Sequence, residues 1–252
     1  MKNRKICAIL LAAAFVVSAI FAFVLLSLVK KTDVRYEVSD DTDVSALNEA
    51  FGGLKGRSLW FLSGEDVFSI IDDYPYFYLE GKPRKVFPNV IRFTVKERRE
   101  VYRLSYGDKI YVLDEDGVLL SIEDYREESR ELITLQTEGI SVKEAVPGKV
   151  LGTSDDAFFG LFLETAKAAE LTDNIKSVTV LSETERKDFR FYTYTGVMIE
   201  IPDADDQGKE KTLAAFAAYN DSTDDYYKSF DTITAVKLVS GEFKIEWTEK
   251  SR

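Results

Sequence analysis

The chain has 252 residues, 45% of them apolar and 31% charged, which is material for one or two domains with ordinary cores. It contains no histidine and one cysteine, Cys7, which excludes Ser-His-Asp and Cys-His catalysis, His-ligated metals, internal disulfides and Cys-ligated zinc or iron–sulfur centres. The net charge of −11 argues against nucleic acid as a partner, and it is unevenly spread: residues 1–31 carry five Lys/Arg and no acid.

From Ile6 to Val29 no residue is charged, and only Ser18 and Ser27 are appreciably polar. As a helix this run reaches about 36 Å against a hydrocarbon core of roughly 30 Å. The run therefore predicts a transmembrane helix over 6–29. Lys2, Arg4 and Lys5 mark residues 1–5 as a cytoplasmic tail by the positive-inside rule. A cleaved signal peptide is the rival, but its apolar region is shorter, and no small-x-small site stands near Val29. The expected localisation is the cell membrane, single-pass and type II, with the C-terminal region extracytoplasmic. Cys7 reads as apolar filler before it reads as a palmitoylation site.

Residues 32–100 predict one small α+β domain in the order β-α-α-β-β. Val34, Tyr36 and Val38 alternate with Arg35 and Glu37 as a strand. A helix capped by Asp43 carries Val44, Leu47 and Phe51 and stops at Gly52-Gly53. Ser63 caps a second helix, with Val67, Ile70 and Ile71 on one face, ending before Pro75. An extended stretch, Tyr76–Leu79, leads to a turn at Gly81–Pro83. Ile91, Phe93 and Val95 then alternate as a half-buried strand.

Residues 101–248 predict a β-rich α+β domain with a mostly antiparallel sheet. Lys109–Leu113 and Val118–Ile122 form a hairpin about Asp114–Gly117, and Leu132–Leu135 is a further strand. Ser154 caps a helix from Asp155 to Glu170. Val178 and Val180 lie on a strand, and Phe189–Tyr194 and Val197–Ile201 make a second hairpin about Thr195-Gly196. A helix from Lys209 to Tyr219 turns Leu213, Phe216 and Ala217 inward, and two strands, Ile233–Val239 and Glu242–Trp247, close the chain. Glu123–Glu131 and Asp203–Gln207 read as solvated acidic loops.

The acidic residues offer little chemistry. Asp114-x-Asp116-Gly117 has the look of a calcium loop but lacks the further ligands in register, so a hairpin turn accounts for it better. Asp72-Asp73, Asp155-Asp156 and Asp224-Asp225 are carboxylate pairs of the kind glycosidases use, yet the same residues are ordinary helix starts and solubilising groups. No Gly-x-Ser-x-Gly or P-loop pattern occurs. No catalytic residue, metal, cofactor or small-molecule substrate is expected. The final strand is a better candidate, because a sheet edge is a place where another strand can add. Phe243, Ile245 and Trp247 alternate there with Lys244 and Glu246. Tyr226-Tyr227 serve equally as exposed aromatics for a partner or as turn packing.

One stretch is more specific. Lys85-Val86-Phe87-Pro88-Asn89-Val90-Ile91-Arg92-Phe93-Thr94-Val95-Lys96-Glu97-Arg98 resembles the end of the POTRA domain in the FtsQ/DivIB family, with its aromatic-Pro and Val-x-Glu-Arg pattern. Leu54-Lys55-Gly56-Arg57-Ser58-Leu59-Trp60 is similar to that family's segment between the two helices. The Pro that commonly follows Glu-Arg is absent, and Arg98 runs on into Arg99-Glu100. The resemblance implies a non-enzymatic division scaffold at the septum. It would link FtsB/DivIC-like and FtsL-like partners to septal peptidoglycan synthesis through strand addition at Val236, Leu238 and Phe243–Trp247. It makes Gly56, Phe87, Pro88, Glu97 and Arg98 POTRA motif residues that define the fold, with Glu97 and Arg98 pairing near the domain junction. The alternative is a membrane-anchored extracytoplasmic sensor or a transport-associated POTRA protein.

Overall fold

A computed structural model describes residues 2–124, 132–170, 174–221, 230–238 and 243–249. The chain divides into two compact units, Met1–Arg98 and Arg99–Arg252. The first begins with helix α1, Lys2–Leu26. The expected membrane span over 6–29 is corrected here: among the described residues no helix is long and apolar enough to cross a membrane. The apolar run is shared between two structures. The helix stops at Leu26, the Ser27 hydroxyl donates to Val24 O at 2.7 Å, and Val29 is buried in the small domain's core. The single-pass type II localisation and the membrane-embedded character rested on that span and are withdrawn with it.

After α1, strand β1 (Lys31–Glu37), helices α2 (Ser45–Gly52) and α3 (Glu65–Ile71) and strands β2 (Phe77–Val86) and β3 (Val90–Glu97) follow in order. The sheet order is β1-β3-β2, with β1 parallel and β2 antiparallel to the central β3. Ile91, Phe93 and Val95 of β3 turn one face to the helices, where they meet Leu47, Phe51, Val67 and Ile71. Phe51 has no exposed surface and meets the Phe93 ring edge-on at 4.6 Å, a burial that contributes about 1.5–3 kcal/mol. Gly81–Pro83 is not a turn. It lies inside β2 at a register shift between Glu80 and Arg84, a bulge in one continuous strand.

The second unit is built on a nine-stranded sheet: β4 (Tyr102–Tyr106), β5 (Lys109–Leu113), β6 (Leu119–Asp124), β7 (Ile133–Glu138), β10 (Ile175–Glu183), β11 (Arg186–Thr193), β12 (Met198–Ile201), β13 (Phe230–Lys237) and β14 (Phe243–Glu249). A small pair, β8 (Val142–Glu144) and β9 (Gly152–Thr153), lies between β7 and β10 in the chain. The spatial order is β14-β13-β12-β11-β10-β7-β4-β5-β6. The β4/β7, β7/β10 and β12/β13 pairs are parallel, and the hairpins are antiparallel.

Helices α4 (Asp156–Ala168) and α5 (Gly208–Asn220) supply the other layer of this core. Phe158 and Phe162 of α4 meet Phe189, and Phe216 of α5 meets Phe191 edge-on at 5.3 Å. Two details differ from expectation. Asp155 caps α4, accepting from Phe158 N at 3.2 Å, while the Ser154 hydroxyl oxygen accepts from Ser141 N. In α5, Phe216 is buried, but Leu213 and Ala217 are exposed, and the inward places go to Lys211, Thr212 and Ala215.

Candidate partner-binding edge

Among the described residues, β14 is the outermost strand at one end of the large sheet, paired with β13 alone. Its register sets Ile233 against Trp247, Ala235 against Ile245 and Lys237 against Phe243. Ile233 and Ala235 are buried, and Ile245 and Trp247 pack against the same core while staying partly exposed. Pleating therefore sends the apolar triplet Phe243, Ile245 and Trp247 to one face. Lys244 and Glu246 point to the other, pairing with each other at 2.8 Å. That pair is half-exposed and contributes only about 0–1 kcal/mol. A strand with one apolar and one charged face, backed by a core on one side and open on the other, is the geometry in which main-chain addition extends a sheet.

Val236 is partly buried and faces Lys244, and Leu238, just past β13, is 40% exposed. Two neighbours of the edge were not read from the sequence. Phe230 meets Trp247 at 5.3 Å, and α5 packs over β12, β13 and β14. The aromatic pair joins residues far apart in sequence, and no local pattern announces it. Lys237 ties β13 to the loop before α5 through Asp206 at 3.0 Å, which draws the Asp206 carboxyl below its usual range. Ser240-Gly241, between the two last strands, and the Tyr226-Tyr227 pair lie outside the described residues.

The residues singled out by the POTRA resemblance, Gly56, Phe87, Pro88, Glu97 and Arg98, all belong to the first unit. Gly56 takes φ +84°, a left-handed conformation that favours glycine, while its N–H donates to Val29 O at 2.9 Å. Phe87 and Pro88 lie on the exposed turn between β2 and β3, and Phe87 meets the Trp60 ring at 5.1 Å. The Glu97 carboxylate accepts from Ser39 N and from the Thr42 hydroxyl, both at 2.8 Å, and so closes the loop after β1. The Arg98 guanidinium sits over the Tyr78 ring at 4.8 Å.

Asp114, Asp155 and Asp156 are held by hydrogen bonds from neighbouring residues. Asp114 Oδ1 accepts from Asp116 N and Val118 N, the hydrogen bonding of a turn, and no metal-holding cluster is found among the described residues. Lys187, Ser182 and the Phe158 amide hold Asp155 below the usual carboxylate range, and the Thr153 amide and hydroxyl do the same for Asp156. Asp72 and Asp73 are exposed at the end of α3, and Asp224-Asp225 fall outside the described residues.

No protein-family model and no curated protein matches the chain.

Proposed function

We propose that the chain is a non-enzymatic cell-division scaffold of the FtsQ/DivIB kind. In this reading the β14 edge takes up a strand from an FtsB/DivIC-like partner, an FtsL-like protein joins the assembly, and the complex acts on septal peptidoglycan synthesis. The observation that carries the reading is the position of Phe243–Glu249 at the end of the large sheet, paired on one side only among the described residues. Further support comes from the sequence pattern of residues 85–98 and from the order β1-α2-α3-β2-β3 in the first unit.

The test is Ile245→Pro in the full chain. Proline removes a main-chain N–H and fixes φ, at an edge position that a sheet tolerates better than a central one. Binding to the purified FtsB/DivIC-like protein of the same organism should fall at least about tenfold, or ~1.4 kcal/mol, measured by calorimetry, with a much smaller change in thermal midpoint. Equal loss of binding and of folding would make β14 a core strand and end the proposal.

A further inference from the structure

The first unit carries an exposed aromatic patch that the division reading does not use. Trp60, Phe61 and Phe87 are 51%, 84% and 50% exposed. Two of these rings are joined to each other and to α1: Phe23 of α1 meets Trp60 at 5.6 Å, and Trp60 meets Phe87 at 5.1 Å. Three segments build this end of the unit and are bonded to one another. Val29 N donates to Arg57 O at 2.8 Å, Gly56 N to Val29 O at 2.9 Å, and Lys30 N to Asn89 O at 2.9 Å. Contiguous exposed apolar surface of this kind marks an interaction site.

Charge identifies the occupant. Residues 27–32, 54–61 and 81–92 contain no Asp or Glu, in a protein of net charge −11. Lys30, Lys55 and Lys85, on the same three segments, are exposed. Arg57 is engaged by Asp66 at 2.5 Å. A second copy of the chain would set lysine against lysine across a two-fold contact. A lipid surface offers anionic headgroups to the lysines, and an interfacial layer in which Trp and Phe rings are favoured.

We propose that this end of the first unit, with Trp60, Phe61 and Phe87 as wedge and Lys30, Lys55 and Lys85 as rim, docks on an anionic lipid surface. The contact is peripheral and needs no helix to cross a bilayer. It rests on different residues from the β14 reading, so either can fail alone.

Tryptophan fluorescence of the full chain tests it, because Trp60 and Trp247 are its two tryptophans. In the Trp247→Phe variant, Trp60 emission should shift to the blue and be quenched by lipids brominated high on the acyl chain. This should happen on vesicles containing phosphatidylglycerol, and much less on phosphatidylcholine alone. In the Trp60→Phe variant, Trp247 should stay unquenched. The Lys55→Gln/Lys85→Gln double variant should need about 30-fold more anionic lipid for half quenching, since each lysine near the surface contributes about fivefold. Four results overturn the proposal. Trp60 stays unquenched on vesicles that carry the chain, both tryptophans quench alike, quenching ignores anionic lipid and the lysines, or the blue shift comes with chain concentration before any lipid is added. The last result would assign the patch to a second copy.

Discussion

Thr165 carries a hydroxyl with no accessible surface and no hydrogen-bond partner among the described residues, on the core side of α4. An unpaired buried polar group costs about 1–3 kcal/mol, and valine has nearly the same shape. Thr165→Val should therefore stabilise the protein, raising the thermal midpoint of the second unit by roughly 2–4 °C per kcal/mol regained; an unchanged or lower midpoint would mean that the hydroxyl is satisfied in solution. Lys211 shows the opposite outcome for a buried polar group. It is 3% exposed, and its ammonium donates to Pro202 O at 2.8 Å and Asp203 O at 2.9 Å. Those bonds pin the acidic loop 203–207, which composition alone marks only as solvated. The same helix explains why Leu213 misleads: the helical period offers it as a core position, but Lys211 finds carbonyls to bind and takes the inward place.

Whole elements were legible where their pattern is local. The alternation of Ile91, Phe93 and Val95 places β3, and the Asp114–Gly117 turn places the β5/β6 hairpin. β4 was missed because Tyr102, Arg103 and Leu104 are all buried, so a strand flanked by β5 and β7 shows no alternation. The Gly-x-Pro of residues 81–83 signals a break in regular backbone without saying whether the chain turns or bulges. The apolar run read as a span contains no signal that Ser27–Val29 leave the helix to join another core. Of the candidate edge, the apolar-charged alternation of 243–247 was visible, whereas the sheet order that leaves β14 outermost depends on pairings across the whole unit. Helix α3 starts one residue later than the Ser63 cap expected from the sequence, with Gly64 as its N-cap. Ser63 and Asp66 bond reciprocally, Ser63 N to Asp66 Oδ2 at 2.6 Å and Asp66 N to Ser63 Oγ at 3.2 Å. The Ser63 amide and hydroxyl, with Arg57, pull the Asp66 carboxyl down to about 2. A carboxyl depressed on folding stabilises the fold above its unfolded pKa, near 3.8, and that contribution is lost as pH falls toward 2. The midpoint of Asp66→Asn should accordingly lie below wild type at pH 6, and the gap should close between about pH 4 and 2. A gap independent of pH would show that the charge at this cap is immaterial.

At the scale of the molecule, two hydrophobic cores share no residue: one is built on Phe51, Phe93 and Val95, the other on Phe162, Phe189 and Phe191. A fragment of residues 99–252 should then fold without the first unit and melt cooperatively by circular dichroism, at the midpoint this unit shows in the full chain. A broad, non-cooperative melt would mean that the second core is incomplete alone. The first unit has a further property at its entrance. Residues 27–29 leave α1 and are at once bonded to 56–59, through Val29 N to Arg57 O, Gly56 N to Val29 O and Leu59 N to Ser27 O. No free linker separates helix from sheet, so α1 is a lever arm clamped at its root. Any torque or pull applied along the helix is delivered directly to the loop that carries Trp60 and Phe61, with no slack to absorb it.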